Sequence, residues 1–246
     1  MNKRTLFIIL FAAIFSQSTV FGQLTQQLQK AQDNNQAVFL VVTDDGDAKF
    51  DKAMQMAGEA QAKVGNAQVL ELNRSDASNS ELVKQYGVNT APVPLFLVFA
   101  ENGMLAGGQL YSQTSSDKLA AAIPSPKKQQ VMETLKKGKS AFLVVSSSSM
   151  EKKSDIVNTC QQACIEMEQN ARIIQVDLDD PKEKAFLASL KINTNISEPQ
   201  TFVINSKGQV TGKFSGDVNA DNLVATAKRV VKTGGCCPGG SSKGCK

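Results

Sequence analysis

The chain has 246 residues, 41% of them hydrophobic, which is enough for one large or two small domains with a buried core. Its formal charge of +4 comes from 27 basic and 23 acidic side chains that are mixed along the sequence. Such mixing indicates a solvated surface, and it excludes the segregated basic stripe of a nucleic-acid-binding protein.

The N-terminus has the order of a secretory signal. Lys3 and Arg4 precede an apolar run over residues 6–15, and small residues follow up to Gly22. The run is too short to cross a bilayer comfortably, and a retained N-terminal anchor is the alternative interpretation. We therefore predict a signal peptide over residues 1–22. The mature protein is then periplasmic or extracellular, with no transmembrane span after signal removal.

The rest of the chain alternates helical and strand patterns, which favours a layered α/β architecture. In the first half the patterns predict helices over residues 24–33, 48–63, 80–86 and 116–123, strands over residues 37–42, 68–73 and 95–99, and a hairpin turn over residues 101–103 that leads into a further strand.

The second half repeats this order. It predicts helices over residues 129–137, 153–169, 182–190 and 220–232, the last with Asn219 or a nearby Asp as its N-cap, strands over residues 141–145, 172–178 and 200–204, and a turn over residues 206–208. The tetrapeptide FLVV occurs in both first strands. Landmarks that recur in one order indicate a duplicated unit. We place the units at residues 23–123 and 129–232, with a proline-containing linker over 124–128 and a tail over 233–246.

Residues 86–103 carry the most specific motif. They read YGVNTAPVP, then the apolar strand LFLVF, then a Glu-Asn-Gly turn. This is similar to the Tyr-Gly-Val, proline, apolar strand and Asn-Gly stretch of the thioredoxin family, and the order β-α-β-α-β-β-α of each half resembles the thioredoxin fold. The resemblance implies an α/β protein of two thioredoxin-like domains in tandem, each with a mixed central sheet flanked by helices.

A cis-proline beside the active site is a feature of this family. The resemblance places Pro94 and Pro199 at that position, with Pro92 as the competing choice in the first unit, and the sequence does not fix the isomer. Family members pair extended polypeptide with the backbone beside this proline. The resemblance therefore implies a binding surface for a polypeptide partner that includes Val93, Pro94, Glu198 and Pro199.

Neither half carries the family's Cys-X-X-Cys pair between its first strand and the following helix. Residues 43–50 read TDDGDAKF, and residues 146–153 read SSSSMEKK. Thiol exchange requires an activated thiolate with a resolving thiol nearby. We therefore predict no catalytic residue here and a non-catalytic binding or scaffold protein. Asp44, Asp45 and Asp47 lack the spaced ligands of a calcium loop, which favours a solvated turn over a cation site.

Cys160 and Cys164 lie four residues apart on an apolar stripe of the helix predicted over residues 153–169. This spacing favours two small residues buried in the core. One alternative is a thiol pair that ligates a soft metal or forms a switchable bridge. Another is pairing with the cysteines of the tail.

The glycine-rich tail contains Cys236, Cys237 and Cys245 and has little apolar mass to bury. Three thiolates beside lysines suit a soft ion such as Cu(I) or Zn(II). Three ligands fall short of a tetrahedral zinc site, and the chain has no histidine to supply a fourth. A small disulfide loop and a disulfide-linked oligomer are competing interpretations. The tail thus supports an alternative function in thiol redox or soft-metal handling.

Overall fold

The computed structural model of the protein describes residues 22–231. Residues 1–21 of the predicted signal peptide and the tail cysteines Cys236, Cys237 and Cys245 lie outside the described residues. The elements of the first unit are α1 (Gln23–Asp33), β1 (Ala37–Thr43), α2 (Phe50–Val64), β2 (Ala67–Asn73), α3 (Ser80–Tyr86), β3 (Leu95–Phe99), β4 (Leu105–Leu110) and α4 (Ser116–Ala121). Those of the second are α5 (Pro126–Lys136), β5 (Ser140–Ser146), α6 (Lys153–Glu166), β6 (Ala171–Asp177), α7 (Lys184–Ser189), β7 (Gln200–Ile204), β8 (Val210–Ser215) and α8 (Ala220–Lys228).

Each unit contains its own four-stranded mixed sheet. The strand orders are β2-β1-β3-β4 and β6-β5-β7-β8. β1 pairs with β2 in parallel and with β3 in antiparallel fashion, and β5 pairs with β6 and β7 in the same way. The predicted fold class, two thioredoxin-like α/β units in tandem with helices flanking mixed sheets, is confirmed.

The inner strands β1 and β5 explain why the sheet is covered on both faces. All seven residues of each strand are buried, as expected for a strand that packs helices on either side. Because successive side chains point to opposite faces, Phe39 packs with α2 in one core cluster, while Leu40 packs with α1 and α3 in another. The shared apolar sequence therefore fixes the middle of both units.

Two predicted helix boundaries change for identifiable reasons. α5 begins at Pro126, earlier than predicted, because proline is accepted at the first helical position and the side chain of Ser125 caps the helix by accepting from the Lys128 amide. α6 stops at Glu166, since Glu168 and Gln169 adopt positive φ angles. The predicted Asn219 cap of α8 is confirmed, because its side chain accepts from the Asn222 amide at 2.8 Å.

Both predicted hairpin turns are confirmed. The β3–β4 and β7–β8 pairs are antiparallel, and the turns contain Gly103 and Gly208 at φ angles of 75° and 77°. Glycine accepts this left-handed backbone without the strain that a Cβ atom adds. The turns fix the registers of β4 and β8 against the strands that follow Pro94 and Pro199.

A buried carboxylate holds the start of the second unit. Glu183, immediately before α7, is only 1% exposed. Its carboxylate accepts from the Ser125 hydroxyl at 2.6 Å and from the Lys127 amide at 3.0 Å. The first turn of α5 is therefore bonded to α7 across the unit.

None of the helices between residues 22 and 231 combines the length and apolarity needed to cross a bilayer.

Candidate functional site

The candidate site in each unit is the end of the sheet where the Cys-X-X-Cys pair would fall. In the first unit the Arg74 amide donates to the Thr43 carbonyl, and in the second the Leu178 amide donates to the Ser146 carbonyl, at 2.9 and 3.0 Å. These matching bonds show which residues of the two units correspond. Asp44 of the first unit corresponds to Ser147 of the second, and Arg74 corresponds to Leu178.

In the first unit an arginine occupies the centre of this region. The Arg74 guanidinium donates through Nε and Nη2 to both carboxylate oxygens of Asp44, the Nε bond being 2.8 Å long. Its Nη1 donates to the carbonyls of Val88 and Ala91 at 2.6 and 2.8 Å. We call this group of four residues the Arg74 clamp. It joins the ends of β1 and β2 to the loop that precedes β3.

The clamp is partly shielded from water and electrostatically favourable. The Arg74 side chain is 12% exposed, whereas that of Asp44 is 42% exposed. The hydrogen bonds from Arg74 hold the pKa of the Asp44 carboxyl below its ordinary value. Asp44 therefore carries its negative charge at neutral pH. Arg74 is absent from the sequence-based candidates, although its position directly after β2, the parallel neighbour of β1, predicts that it lies close to Asp44.

The acidic loop after β1 is bonded to the protein. Asp45 accepts from the Asn73 side-chain amide at 2.7 Å, and Asp47 accepts from the Lys49 backbone amide at 2.9 Å. Together with the Asp44–Arg74 pair, these bonds hold the predicted solvated turn in a defined conformation. Within residues 22–231, no three side chains of metal-ligating type come together.

The loop before β3 presents an unpaired backbone. The Val93–Pro94 peptide bond is cis, so the structure selects Pro94 over Pro92, and the Pro94 carbonyl accepts from the Tyr111 amide at 3.1 Å. The Val93 side chain packs against the core. The backbone N–H and C=O of Val93 have no hydrogen-bond partner within residues 22–231. Val93 thus offers one donor and one acceptor to an incoming chain.

The equivalent loop of the second unit has a different environment. Pro199 accepts from the Gly216 amide at 3.0 Å, which makes it the counterpart of Pro94, but among the described residues the cis bond occurs at Pro94 and not at Pro199. Glu198 is exposed and its backbone is likewise unpaired within that range. Leu178 replaces the clamp arginine, and a cleft of about 320 Å³ opens between residues 149–152 and 197–199.

Buried polar atoms at this end of the second sheet lack partners. Ser146 Oγ and Gln200 Oε1 are buried without a hydrogen bond inside the described part of the chain. Lys152, which lines the cleft, pairs instead with Asp217 at 3.0 Å. With Leu178 in place of Arg74, the second site has no guanidinium bonded to its loop.

Cys160 and Cys164 lie in the core between α6 and the sheet. They are 0% and 6% exposed, and both thiols are free. Burial is the main cause that raises the pKa of Cys160 to about 12, and the neighbouring Cys164 adds to it. Burial likewise raises the pKa of Cys164. Thiols with raised pKa values are poor nucleophiles at neutral pH.

Native Cys160 and Cys164 are therefore expected to resist iodoacetamide until the protein unfolds. A thiol whose pKa is raised in the folded state stabilises the fold fully below its unfolded value of 9.0, and this contribution is lost as the pH rises through about 12. Peptide mass spectrometry after timed labelling measures the rates. Rapid modification of native Cys160 would contradict its burial.

Comparison with known proteins gives structural matches only. No family model matches the sequence, and no curated protein matches it. The first two thioredoxin domains of Saccharomyces cerevisiae Eps1p match 84% of this chain and 96% of their own, at 10% identity and a TM-score of 0.30. Zinc-bound human ERp44 matches 82% of this chain at 14% identity and a TM-score of 0.34. This chain spans 57% of the ERp44 chain.

A bacterial structure is similar over the same length. The NTD_N/C domain of the alkylhydroperoxide reductase AhpF from Enterococcus faecalis matches 82% of this chain and 98% of its own, at 13% identity and a TM-score of 0.24. At such identities the likeness concerns the fold alone. The chemistry of the site is therefore argued from the residues of this chain.

Proposed function

We propose that this protein is an exported, non-catalytic thioredoxin-fold protein that binds extended polypeptide at the Val93–Pro94 loop of its first unit. The observation that carries the proposal is the unpaired backbone of Val93, whose side chain is anchored in the core. An extended peptide that adds to such a backbone gains main-chain hydrogen bonds whatever its sequence. With no cysteine in residues 43–50, the site holds a chain without exchanging disulfides with it.

The Arg74 clamp supports this assignment because it orders the loop in advance. Two carbonyls of the loop, those of Val88 and Ala91, are bonded to one guanidinium. A loop that is already ordered loses little conformational freedom when it binds. In the second unit Glu198 lies on a loop without this bond, so we assign peptide binding primarily to the first unit and a scaffold role to the second.

Export is the part of the proposal that rests on the N-terminal sequence. Lys3, Arg4 and the apolar run over residues 6–15 are typical of a cleaved signal. N-terminal sequencing of protein recovered outside the cytoplasm is expected to begin near residue 23. Recovery of the full-length chain inside the cytoplasm would contradict export.

Short uncharged peptides rich in valine and threonine, which favour an extended backbone, are expected to bind the wild-type protein and to shift the Val93 amide signal in ¹⁵N-labelled protein. The same peptide with its backbone nitrogens methylated cannot donate to the Val93 carbonyl, and we expect it to bind about tenfold more weakly because that main-chain hydrogen bond is lost. Titration followed by NMR measures both affinities. Equal affinity for the two peptides, or shifts confined to the second unit, would reject the site.

The alternative function in thiol redox or soft-metal handling rests on Cys236, Cys237 and Cys245, all outside the described residues. The buried Cys160 and Cys164 add no accessible thiol to it. Bound copper or zinc in native mass spectra, lost when residues 234–246 are deleted, would favour this alternative. Peptide binding that survives the deletion favours the polypeptide-binding proposal.

A further inference from the structure

A groove between α1 and α3 lies on the first unit. Its volume is about 230 Å³, and its floor consists of the apolar side chains of Val38, Leu82 and Phe99. Its rim carries Thr25, Gln29, Gln32, Gln36, Gln85 and Tyr86. No lysine, arginine, aspartate or glutamate is among the residues that line it. The groove therefore combines an apolar base with uncharged hydrogen-bonding groups.

Several of these polar groups are free to meet a ligand. The side-chain amides of Gln32 and Gln85 and the hydroxyl of Tyr86 have no hydrogen-bond partner in the part of the chain that the structure describes. Gln29 uses its amide nitrogen to bond Asp33 at 2.9 Å, which leaves its carbonyl oxygen available. Amide side chains both donate and accept, as hydroxyl groups do.

The second unit shows which residues occupy the equivalent positions in the other copy. The helices α1 and α5 end in matching bonds, Asn34 to Lys30 and Lys137 to Glu133. The resulting equivalences are Gln29 with Met132 and Gln32 with Leu135, and the matching ends of α3 and α7 pair Tyr86 with Leu190. Leu135 and Leu190 pack against the core of their unit. Three apolar residues of one copy are thus polar in the other.

The chain therefore tolerates an apolar surface at these positions, and the fold does not require the polar residues of the first unit. Thr25 and Gln36 of the first unit correspond to Lys128 and Lys139 of the second. The groove residues of the first unit are therefore richer in amides and carry less charge than their counterparts. A groove without charge discriminates against charged ligands, which lose hydration there without gaining an ion pair.

We infer that the groove between α1 and α3 binds a single uncharged sugar ring. Its volume corresponds to about eight waters, the size class of a monosaccharide. The C–H face of such a ring packs on the apolar floor beside Tyr86 and Phe99, whose rings meet edge to face at 5.3 Å. Its hydroxyls bond the glutamine amides of the rim. The inference is independent of peptide binding at Val93.

The test uses the neutral sugars galactose and N-acetylglucosamine, with gluconate as a charged molecule of similar size. We expect saturable shifts of the Gln29, Gln32 and Gln85 side-chain amide signals with at least one neutral sugar, and at least tenfold weaker binding of gluconate. Methyl glycosides and oligosaccharides of the same sugar distinguish a free ring from the end of a glycan. No saturable binding of either neutral sugar, or equal binding of gluconate, overturns the inference.

The double variant Gln29→Met, Gln32→Leu installs the residues of the second unit, so a folded protein is expected. It should bind the sugar at least tenfold more weakly, while Gln55→Met, at an exposed glutamine of α2 outside the groove, should bind it as the wild type does. If the double variant fails to fold in a thermal unfolding scan, Tyr86→Phe tests the hydroxyl alone and should weaken binding measurably. Unchanged affinity in the folded groove variant, or an equal loss in Gln55→Met, contradicts the site.

Discussion

Replacement of Arg74 by leucine, the residue at the equivalent position of the second unit, is expected to lower the free energy of unfolding by about 2 kcal/mol. The substitution leaves the carbonyls of Val88 and Ala91 without their donor and removes both bonds to Asp44. Asp44 is 42% exposed, so water recovers part of its solvation and limits the loss. Urea unfolding measures the change, and the variant should also bind the valine- and threonine-rich peptide more weakly, because the loop is no longer ordered in advance.

The pH dependence of this difference gives a second readout. The pKa of Asp44 is lowered in the folded protein, so its contribution is present above the unfolded value of 3.8 and is lost as the pH falls through the lower folded value. The stability gap between the wild type and Arg74→Leu should therefore narrow in acid. Asp117→Ala, which breaks the exposed Lys63–Asp117 pair, is the control and should cost less than about 0.5 kcal/mol. If Arg74→Leu and Asp117→Ala lower the free energy of unfolding equally, the Arg74 clamp does not stabilise the fold.

Glu183→Ala is expected to lower the free energy of unfolding by about 3 kcal/mol. The carboxylate is almost fully buried, and its removal leaves the Ser125 hydroxyl and the Lys127 amide without an acceptor. A negative charge at a helix N-terminus is also favourable, and α5 loses it. Chemical unfolding measures the cost, and limited proteolysis should cut faster near residues 124–128.

Two comparisons make the Glu183 result specific. Glu183→Gln keeps an acceptor oxygen for the Lys127 amide. It should therefore lower the free energy of unfolding by about half as much as Glu183→Ala does. Asp221→Ala removes an exposed acid from the first turn of α8 and should cost only about 0.5 kcal/mol. A Glu183→Ala variant as stable as Asp221→Ala would show that the buried bonds contribute little.

Local sequence signals account for the two sheets. The apolar tetrapeptide FLVV, rich in β-branched and aromatic residues, favours a strand covered on both faces, and the glycine turns indicate which strands pair as hairpins. The end of α8 could not be read in this way, because Val230 and Val231 continue an apolar pattern. Instead, the Gln209 side chain bonds the backbone N–H and C=O of Val231, and the chain leaves α8 after Lys228.

The candidate site was less accessible to sequence reasoning. Whether Pro92 or Pro94 takes the cis form depends on packing that the sequence does not display, and the structure places it at Pro94. The Arg74 clamp depends on two carbonyls that are 14 and 17 residues farther along the chain. Only the proximity of Asp44 to Arg74 had a sequence signal, namely their positions after parallel strands.

Every strand of each sheet comes from one continuous stretch of chain, residues 37–110 for one and 140–215 for the other. A substitution in one copy therefore leaves all ladder hydrogen bonds of its twin untouched. This arrangement lets the halves drift apart in chemistry while keeping a common scaffold. At the end of the sheet the first unit has Arg74 where the second has Leu178. In its first helix it has Gln29 and Gln32 where the second unit has Met132 and Leu135. Comparison of each residue with its counterpart in the other unit therefore identifies the positions at which the two units have diverged in chemistry.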